Sequence, residues 1–317
     1  MFEKAIHIEG VSYVYHDSKL KTEALKDLNF SLEYGKISGI LGPNGSGKST
    51  SFKLLSTQIK AQSGKVFVGG VSVIEDPKAI RRLIGVTFQS PSLDPQLSVL
   101  ENLDIHAALI GLSSSGADAK IRENLEALGL SDKRDVRVKN LSGGLARRAE
   151  LAKTMLADPK VLLLDEPTTG LDPKARHEFW NLLKKFMRPD RAIVVTTHLM
   201  EEAELCDELV FMSEGHVVAQ GSPEALKRSF GKSVVMLSSQ DLDSLTEKVS
   251  HELEHIGVRE SSDLKQINGR LRLEVAQMED LWPRFQPLMG HEIDALEWSQ
   301  GTLADVYWQK TGKELKN

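Results

Sequence analysis

Hydrophobic and polar positions along this chain follow three regimes, which change near residue 37 and again near residue 222. Residues 5–15 and 25–33 alternate apolar with polar side chains, the period of strands that bury one face, and predict an N-terminal antiparallel β-layer. From Ile37 to Leu41 a short apolar strand runs into a glycine-rich loop, and 49–59 carries the pattern of the helix that follows. Residues 91–158 are mostly helical in pattern. They include a capping box at Ser98-Val99-Leu100-Glu101, where the Ser accepts from the N3 amide and the Glu reaches back. The runs at 161–164 and 192–196 are leucine or β-branched without alternation, as central parallel strands covered on both sides require. The expected core is α/β.

After Gly221-Ser222-Pro223 a different order begins. Residues 233–238 read as strand, 240–256 as helix, and 264–267 with 270–275 as two strands around Asn268-Gly269. A helix with a proline interruption over 278–289, a strand over 292–298 and a final helix over 302–310 complete the tail. The order βαββαβ predicts a small α+β domain of ferredoxin-like arrangement. The expected division is therefore 1–222 and 223–317, with a helical subdomain at about 91–158 in the first part.

Composition narrows the setting. The 317 residues are 40% hydrophobic and 27% charged, ordinary for a globular protein with a large core. Apolar runs such as Val161–Leu164 and Ala192–Val195 are four residues long, far short of the ~18 that suggest a membrane span. Met1-Phe2-Glu3-Lys4-Ala5 lacks the basic and apolar regions of a secretory signal, and the single Cys206, read as a small helix residue, allows no internal disulfide. A cytoplasmic setting is expected. Net charge is −5 and neither part is basic, so binding to a nucleic-acid backbone is not expected.

The chemistry lies in three elements in order. Gly42-Pro43-Asn44-Gly45-Ser46-Gly47-Lys48-Ser49-Thr50 stands between an apolar strand and a helix, the context of a phosphate loop. Its glycines free the backbone so that successive N–H groups can wrap a β-phosphate, and the helix start adds its positive end. Lys48 is expected to reach the β- and γ-phosphates, and Ser49 to coordinate Mg²⁺. Asp165, at the end of an apolar strand, suits a carboxylate that holds Mg²⁺ through water, and Glu166 is placed to polarise an attacking water. Leu141-Ser142-Gly143-Gly144 lies between them, 93 residues after Lys48.

Together these elements resemble the nucleotide-binding subunit of an ABC transporter, whose signature most often reads LSGGQ; here it is Leu141-Ser142-Gly143-Gly144-Leu145. The resemblance covers residues 1–222 and implies a P-loop NTPase core with an antiparallel β-layer and a helical signature subdomain. It implies ATP and Mg²⁺ as ligands and further site residues. Tyr15 matches the aromatic that stacks on adenine, with Tyr13 a competitor. Gln89 matches the Q-loop glutamine that contacts Mg²⁺ and senses the γ-phosphate, and Leu171-Asp172 the D-loop. His198 matches the switch histidine. Two such chains, identical or not, are implied to meet head to tail around two ATP molecules, with Ser142, Gly143 and Gly144 completing the partner's site. In such subunits the loop Gln89–Leu103 helps to receive a helix of a membrane permease.

The form Leu145-Ala146-Arg147-Arg148 and the later His198-Leu199-Met200-Glu201-Glu202-Ala203-Glu204 are similar to the export branch that pairs with polytopic ABC-2-type permeases. Thr302-Leu303-Ala304-Asp305-Val306-Tyr307 with Thr311-Gly312 resembles the ending of daunorubicin-resistance-type subunits. Leu145 departs from the commonest signature by removing a side-chain amide, while Lys48, Asp165, Glu166 and His198 are retained. The competing reading is a soluble ATPase acting on ribosomes or DNA. The 93 residues between Lys48 and the signature leave no room for the long coiled coil of the DNA-acting members.

Overall fold

A computed structural model of the chain describes residues 4–16, 21–255, 264–267, 269–275 and 281–313. Its described residues divide into two compact units, 4–223 and 224–313.

In the first unit, β1 (Lys4–His16) and β2 (Lys21–Glu33) pair antiparallel, and β4 (Lys65–Val68) and β5 (Val71–Ser72) extend them in the order β2-β1-β4-β5. The alternation at 5–15 is thus realised as a strand that buries Ala5, Ile6, Ile8 and Val11. A second sheet combines β3 (Ile37–Leu41), β6 (Ile84–Thr87), β7 (Val161–Asp165), β8 (Ala192–Thr197), β9 (Glu208–Ser213) and β10 (His216–Gly221). Its order is β10-β9-β3-β8-β7-β6, parallel throughout except for the antiparallel edge strand β10. Every residue of β3, β8 and β9 is buried, which explains why these strands carry no alternation. One core joins the two sheets through α1 (Lys48–Leu55): Phe52, Leu54 and Leu55 lie among Ile6, Ile8, Leu28, Leu32, Ile40 and Val194.

The helical part contains α3 (Val99–Leu109), α4 (Ser114–Ala127) and α5 (Gly143–Met155), after a loop at 91–98, so the expected span of 91–158 begins with non-helical chain. The capping box of α3 forms as read: Ser98 accepts from the Glu101 amide at 3.1 Å and Glu101 accepts from the Ser98 amide at 2.7 Å. Short α2 (Pro77–Leu83) precedes β6, α6 (Pro173–Phe186) follows β7, and α7 (Met200–Ala203) follows β8. Two expectations need correction. The helix after the phosphate loop ends at Leu55 rather than 59, because Thr57 turns left-handed at φ 60° and the amides of Gln58 and Ile59 fold back onto the Lys53 carbonyl. Cys206 lies beyond α7 rather than within a helix, buried, and burial pushes its thiol up.

In the second unit, after α8 (Pro223–Phe230), the chain forms β11 (Ser233–Ser238), α9 (Leu242–His255), β12 (Leu264–Ile267), β13 (Arg270–Val275), α10 (Trp282–Phe285), β14 (Ala295–Gln300) and α11 (Leu303–Thr311). The sheet order β12-β13-β11-β14, antiparallel at every junction, is the ferredoxin-like arrangement. The helix expected over 278–289 is shorter: 278–280 lie outside the described residues, and after Phe285 the chain tightens into a 3₁₀ turn containing Pro287. The last strand sits at Ala295–Gln300 rather than 292–298 because 290–293 closes a turn through the Gly290 amide and Ile293 carbonyl.

Thr302 caps α11 in a reciprocal box with Asp305, which also accepts from buried Arg272 on β13 at 2.7 Å. Thr302→Ala is expected to lower the stability of this unit by about 1 kcal/mol, read as a lower midpoint in urea unfolding followed by the fluorescence of Trp282, Trp298 and Trp308.

Candidate functional site

Four strands of the parallel sheet deliver the chemistry at their carboxyl ends, and the register sets which residues meet. Leu41 pairs with Thr197, Thr87 with Leu164, and Asp165 with Thr196. The residues that follow these ends are the glycine loop, Gln89, Glu166 and His198, so the ladder itself assembles the site.

The loop 42–48 starts α1 from Gly47, whose φ of 104° is closed to other residues without strain. A Cβ there would also sit 2.8 Å from the Ala24 carbonyl oxygen. No side chain caps α1, which leaves its first amides to an outside acceptor. The Ser46 hydroxyl is buried without a hydrogen-bond partner. The ammonium of Lys48 is buried, donating to the carbonyls of Gly42 at 2.6 Å and Pro43 at 3.1 Å and lying 4.0 Å from Glu166 Oε1. Ser49 and Asn44 are exposed at the mouth of the loop. An uncapped helix start, an orphaned hydroxyl and a buried cation together fit the phosphates of a nucleotide.

Tyr15 lies beside α1, accepting from the Thr50 hydroxyl at 3.5 Å, with Lys53 Nζ 5.9 Å from its ring centroid. Tyr13 touches Tyr15 edge-on at 4.9 Å but packs against the core.

Glu166 is the hub. Its Oε1 lies 3.3 Å from His198 Nδ1, in ion-pair range though not aligned for a hydrogen bond. Its Oε2 accepts from Gln89 Nε2 at 3.3 Å and from the Thr169 hydroxyl at 3.2 Å. Its backbone is left-handed at φ 43°, a cost of about 1–2 kcal/mol for a residue with a Cβ. Its single amide N–H is shared between the Thr196 hydroxyl at 2.9 Å and the Thr196 carbonyl at 3.2 Å, a bifurcated hydrogen bond that offsets that cost by about 1 kcal/mol. Such strain aims the carboxylate at the site rather than along the strand.

Beside it, Asp165 accepts from Thr196 Oγ1 at 2.5 Å, yet burial, with Glu166 adjacent, raises its carboxyl above the usual range. Burial also lowers the Lys48 ammonium despite the nearby Glu166 and Asp165. Both shifts share one cause, poor solvation of charge, so an anion at Lys48 and a cation at Asp165 would interact more strongly than in bulk water. Among the described residues no cluster of three or more His, Cys, Asp and Glu side chains could hold a metal alone. A magnesium ion bound largely by phosphate oxygens needs only one or two protein donors, and Ser49, Asp165 and Gln89 offer a hydroxyl, a carboxylate and an amide.

The signature does not join this cluster. Ser142 is exposed and caps α5, accepting from the Leu145 amide at 3.4 Å, while Gly143 and Gly144 pack near Leu171 and Ala175. Asp172, exposed, caps α6 by accepting from the Ala175 amide at 2.9 Å.

Three residues that carry the site's framework have no role assigned by the motifs: Arg147 and Glu202 stand inside the motif segments, and Glu150 stands outside them. Arg147 donates to the carbonyls of Phe88 and Pro167, and Glu150, 3% exposed, accepts from the Ser92 and Leu93 amides. Glu202, 1% exposed, accepts from the hydroxyls of Thr168 and Thr197, tying the start of the 168–172 loop to the residue before His198. The available signal for Glu150 was a carboxylate set between Ala149 and Leu151-Ala152, in the stretch of α5 that is buried.

A protein-family profile described as ABC transporter matches residues 25–169. The chain belongs to the ATP-binding subunits of ABC transporters. It is 40% identical over 260 residues to the Nod factor export ATP-binding protein I of Bradyrhizobium diazoefficiens, covering 81% of this chain and 84% of that one. It is 35% identical to the daunorubicin/doxorubicin resistance ATP-binding protein DrrA of Streptomyces peucetius, covering 98% of this chain and 93% of the relative. The cassette MJ0796, solved as a dimer in a post-hydrolysis state with ADP and Pi, superposes at a TM-score of 0.62 with 28% identity. That match covers 68% of this chain and 98% of MJ0796.

Because Glu166 holds a left-handed backbone, Glu166→Gly and Glu166→Ala, which remove the same carboxylate, should differ in stability. The glycine variant is expected to be more stable by about 1 kcal/mol in urea unfolding; equal stabilities would show that the turn carries no strain.

Proposed function

We propose that this chain is the ATP-hydrolysing subunit of an exporter, working from the cytoplasmic face of a membrane as one of a pair that drives a separate ABC-2-type permease. Glu166 is the general base that polarises the attacking water, and His198 and Gln89 set its orientation and sense the γ-phosphate. Lys48 and the amides of 42–50 hold the phosphates, Ser49 and Asp165, with Gln89, hold Mg²⁺, and Tyr15 stacks on adenine. Bound Mg²⁺ would neutralise charge that develops between the β- and γ-phosphates.

The observation that carries the reading is the separation of two half-sites on one chain. Glu166 lies within 4.0 Å of Lys48 and closer still to Gln89 and His198, whereas Ser142, Gly143 and Gly144 lie exposed or at an edge, directed to none of them. A second subunit supplies what is missing: its signature closes this chain's phosphate site, and Asp172 lies at the seam. That the cassette MJ0796 is itself dimeric with ADP and Pi supports the pairing. Since the γ-phosphate bridges the halves, hydrolysis releases them, and the loop from Gln89 to Leu103 hands the change to the permease. Among the described residues no helix is long and apolar enough to cross a membrane, in keeping with a separate permease. The relative named for Nod factor export supports the direction of transport, and the one named for daunorubicin/doxorubicin resistance is consistent with it. We assign residues 1–222 to the ATPase and 223–317 to an accessory domain.

Glu166→Gln keeps the phosphate contacts and loses the base. With ATP and Mg²⁺ it is expected to elute as a dimer in size-exclusion chromatography and to turn over at under about one hundredth of the parent rate, the smallest loss typical of removing a general base. A monomer that hydrolyses ATP at the parent rate would remove Glu166 from the role of base.

A further inference from the structure

From the signature runs α5, whose first turn carries Gly143 and Gly144 and whose second turn carries Arg147 and Glu150. We propose that these two are positioning residues that fasten both ends of the Gln89 loop to the signature helix, so that the loop moves with α5 when a partner engages Ser142. The proposal rests on the paired-site reading above and adds to it the joint through which one half-site governs the other.

Arg147 and Glu150 stand three positions apart and so share a face of α5. The Arg147 guanidinium donates from Nη1 to the Phe88 carbonyl at 2.8 Å and from Nε to the Pro167 carbonyl at 2.6 Å. Phe88 immediately precedes Gln89, and Pro167 immediately follows Glu166. One planar fork thus sets the distance between the two strand ends whose side chains meet at 3.3 Å, Gln89 Nε2 to Glu166 Oε2. Weaker contacts from Nη2 to the carbonyls of Asp165 and Glu166, at 3.3 and 3.4 Å, brace the same corner.

Glu150 holds the other end. Its Oε1 accepts from the amides of Ser92 at 2.6 Å and Leu93 at 2.9 Å, and its Oε2 accepts from the Ser92 hydroxyl at 2.7 Å. Lys153 Nζ, 3.7 Å away, partners the buried charge. Only Gln89, Ser90 and Pro91 lie between the two fastenings, all exposed and none with room to drift independently of α5. A carboxylate this deeply buried, with its acceptor sites filled by one loop, would be costly if its task were solvation alone.

Hydrogen exchange in the Glu166→Gln background, with and without Mg-ATP, tests the joint without requiring the permease. In that background the nucleotide is expected to raise protection over both 141–155 and 88–98. Adding Glu150→Ala should leave the response of 141–155 in place, abolish that of 88–98, and cut protection of the Ser92 and Leu93 amides about tenfold. Glu150→Gln, whose amide oxygen can accept the same two N–H groups, should restore the response. An 88–98 response that survives Glu150→Ala overturns the joint alone. A general loss of protection reaching 161–165 and 192–197 in both Glu150 variants overturns it in favour of mere packing. If 141–155 fails to respond in the Glu166→Gln background itself, the paired-site reading falls and takes the joint with it, a result distinct from the other two. Arg147→Lys keeps the charge but not the fork; a kcat about tenfold lower with unchanged KM for ATP supports the assignment, and a parent-like kcat removes Arg147 from it.

Discussion

Everything in the site depends on the hydrogen-bonded register of the parallel sheet. Residue by residue, β3, β8, β7 and β6 are locked so that Leu41 faces Thr197, Asp165 faces Thr196 and Thr87 faces Leu164. A slip of one position would turn Asp165 and Thr196 to opposite faces and break the 2.5 Å bond between them. Burial on both sides of the sheet makes such a slip prohibitive, since the fully buried strands have no solvent face to offer. The candidate site is therefore carried by fully buried strands, and its polar side chains sit on the short connections leaving them.

Those connections carry the strain and the poor solvation. Glu166 is left-handed, Gly47 more so, and Lys48 and Asp165 are both pushed toward their neutral forms by burial. Each unfavourable feature is opposed by a specific neighbour: Thr196 for Glu166 and Asp165, the Gly42 and Pro43 carbonyls for Lys48. A second layer of charge, half-buried Arg147 with buried Glu150 and Glu202, ties the connections to one another and to the signature helix. The site is thus a set of loops pinned at both ends, with the signature left free on the outside.

Much of this was legible in the sequence where the determinant is local. The glycine loop, the Asp165-Glu166 pair, the Ser98 capping box and the strands at 233–238, 264–267 and 270–275 all depend on spacing within a few residues. Other features were not legible because their determinants lie far apart in the chain. Glu150 meets Ser92 across 58 positions and Thr168 meets Glu202 across 34, so no window of sequence contains both partners. The early end of α1 turns on one left-handed residue, Thr57, whose type gives no sign of it. Tyr13 and Tyr15, equal by spacing, separate only when the core is seen to take the first and the Thr50–Lys53 turn the second.

The central claim is that Ser142 of one subunit closes the phosphate loop of another. Cross-linking measures it directly: with Cys206→Ser as background, cysteines are placed at the exposed positions Asn44 and Ser142 and the protein is oxidised with and without Mg-ATP. A covalent dimer is expected to form only with nucleotide and only when both cysteines are present. A cross-link that is absent, or that forms equally without ATP, would contradict it.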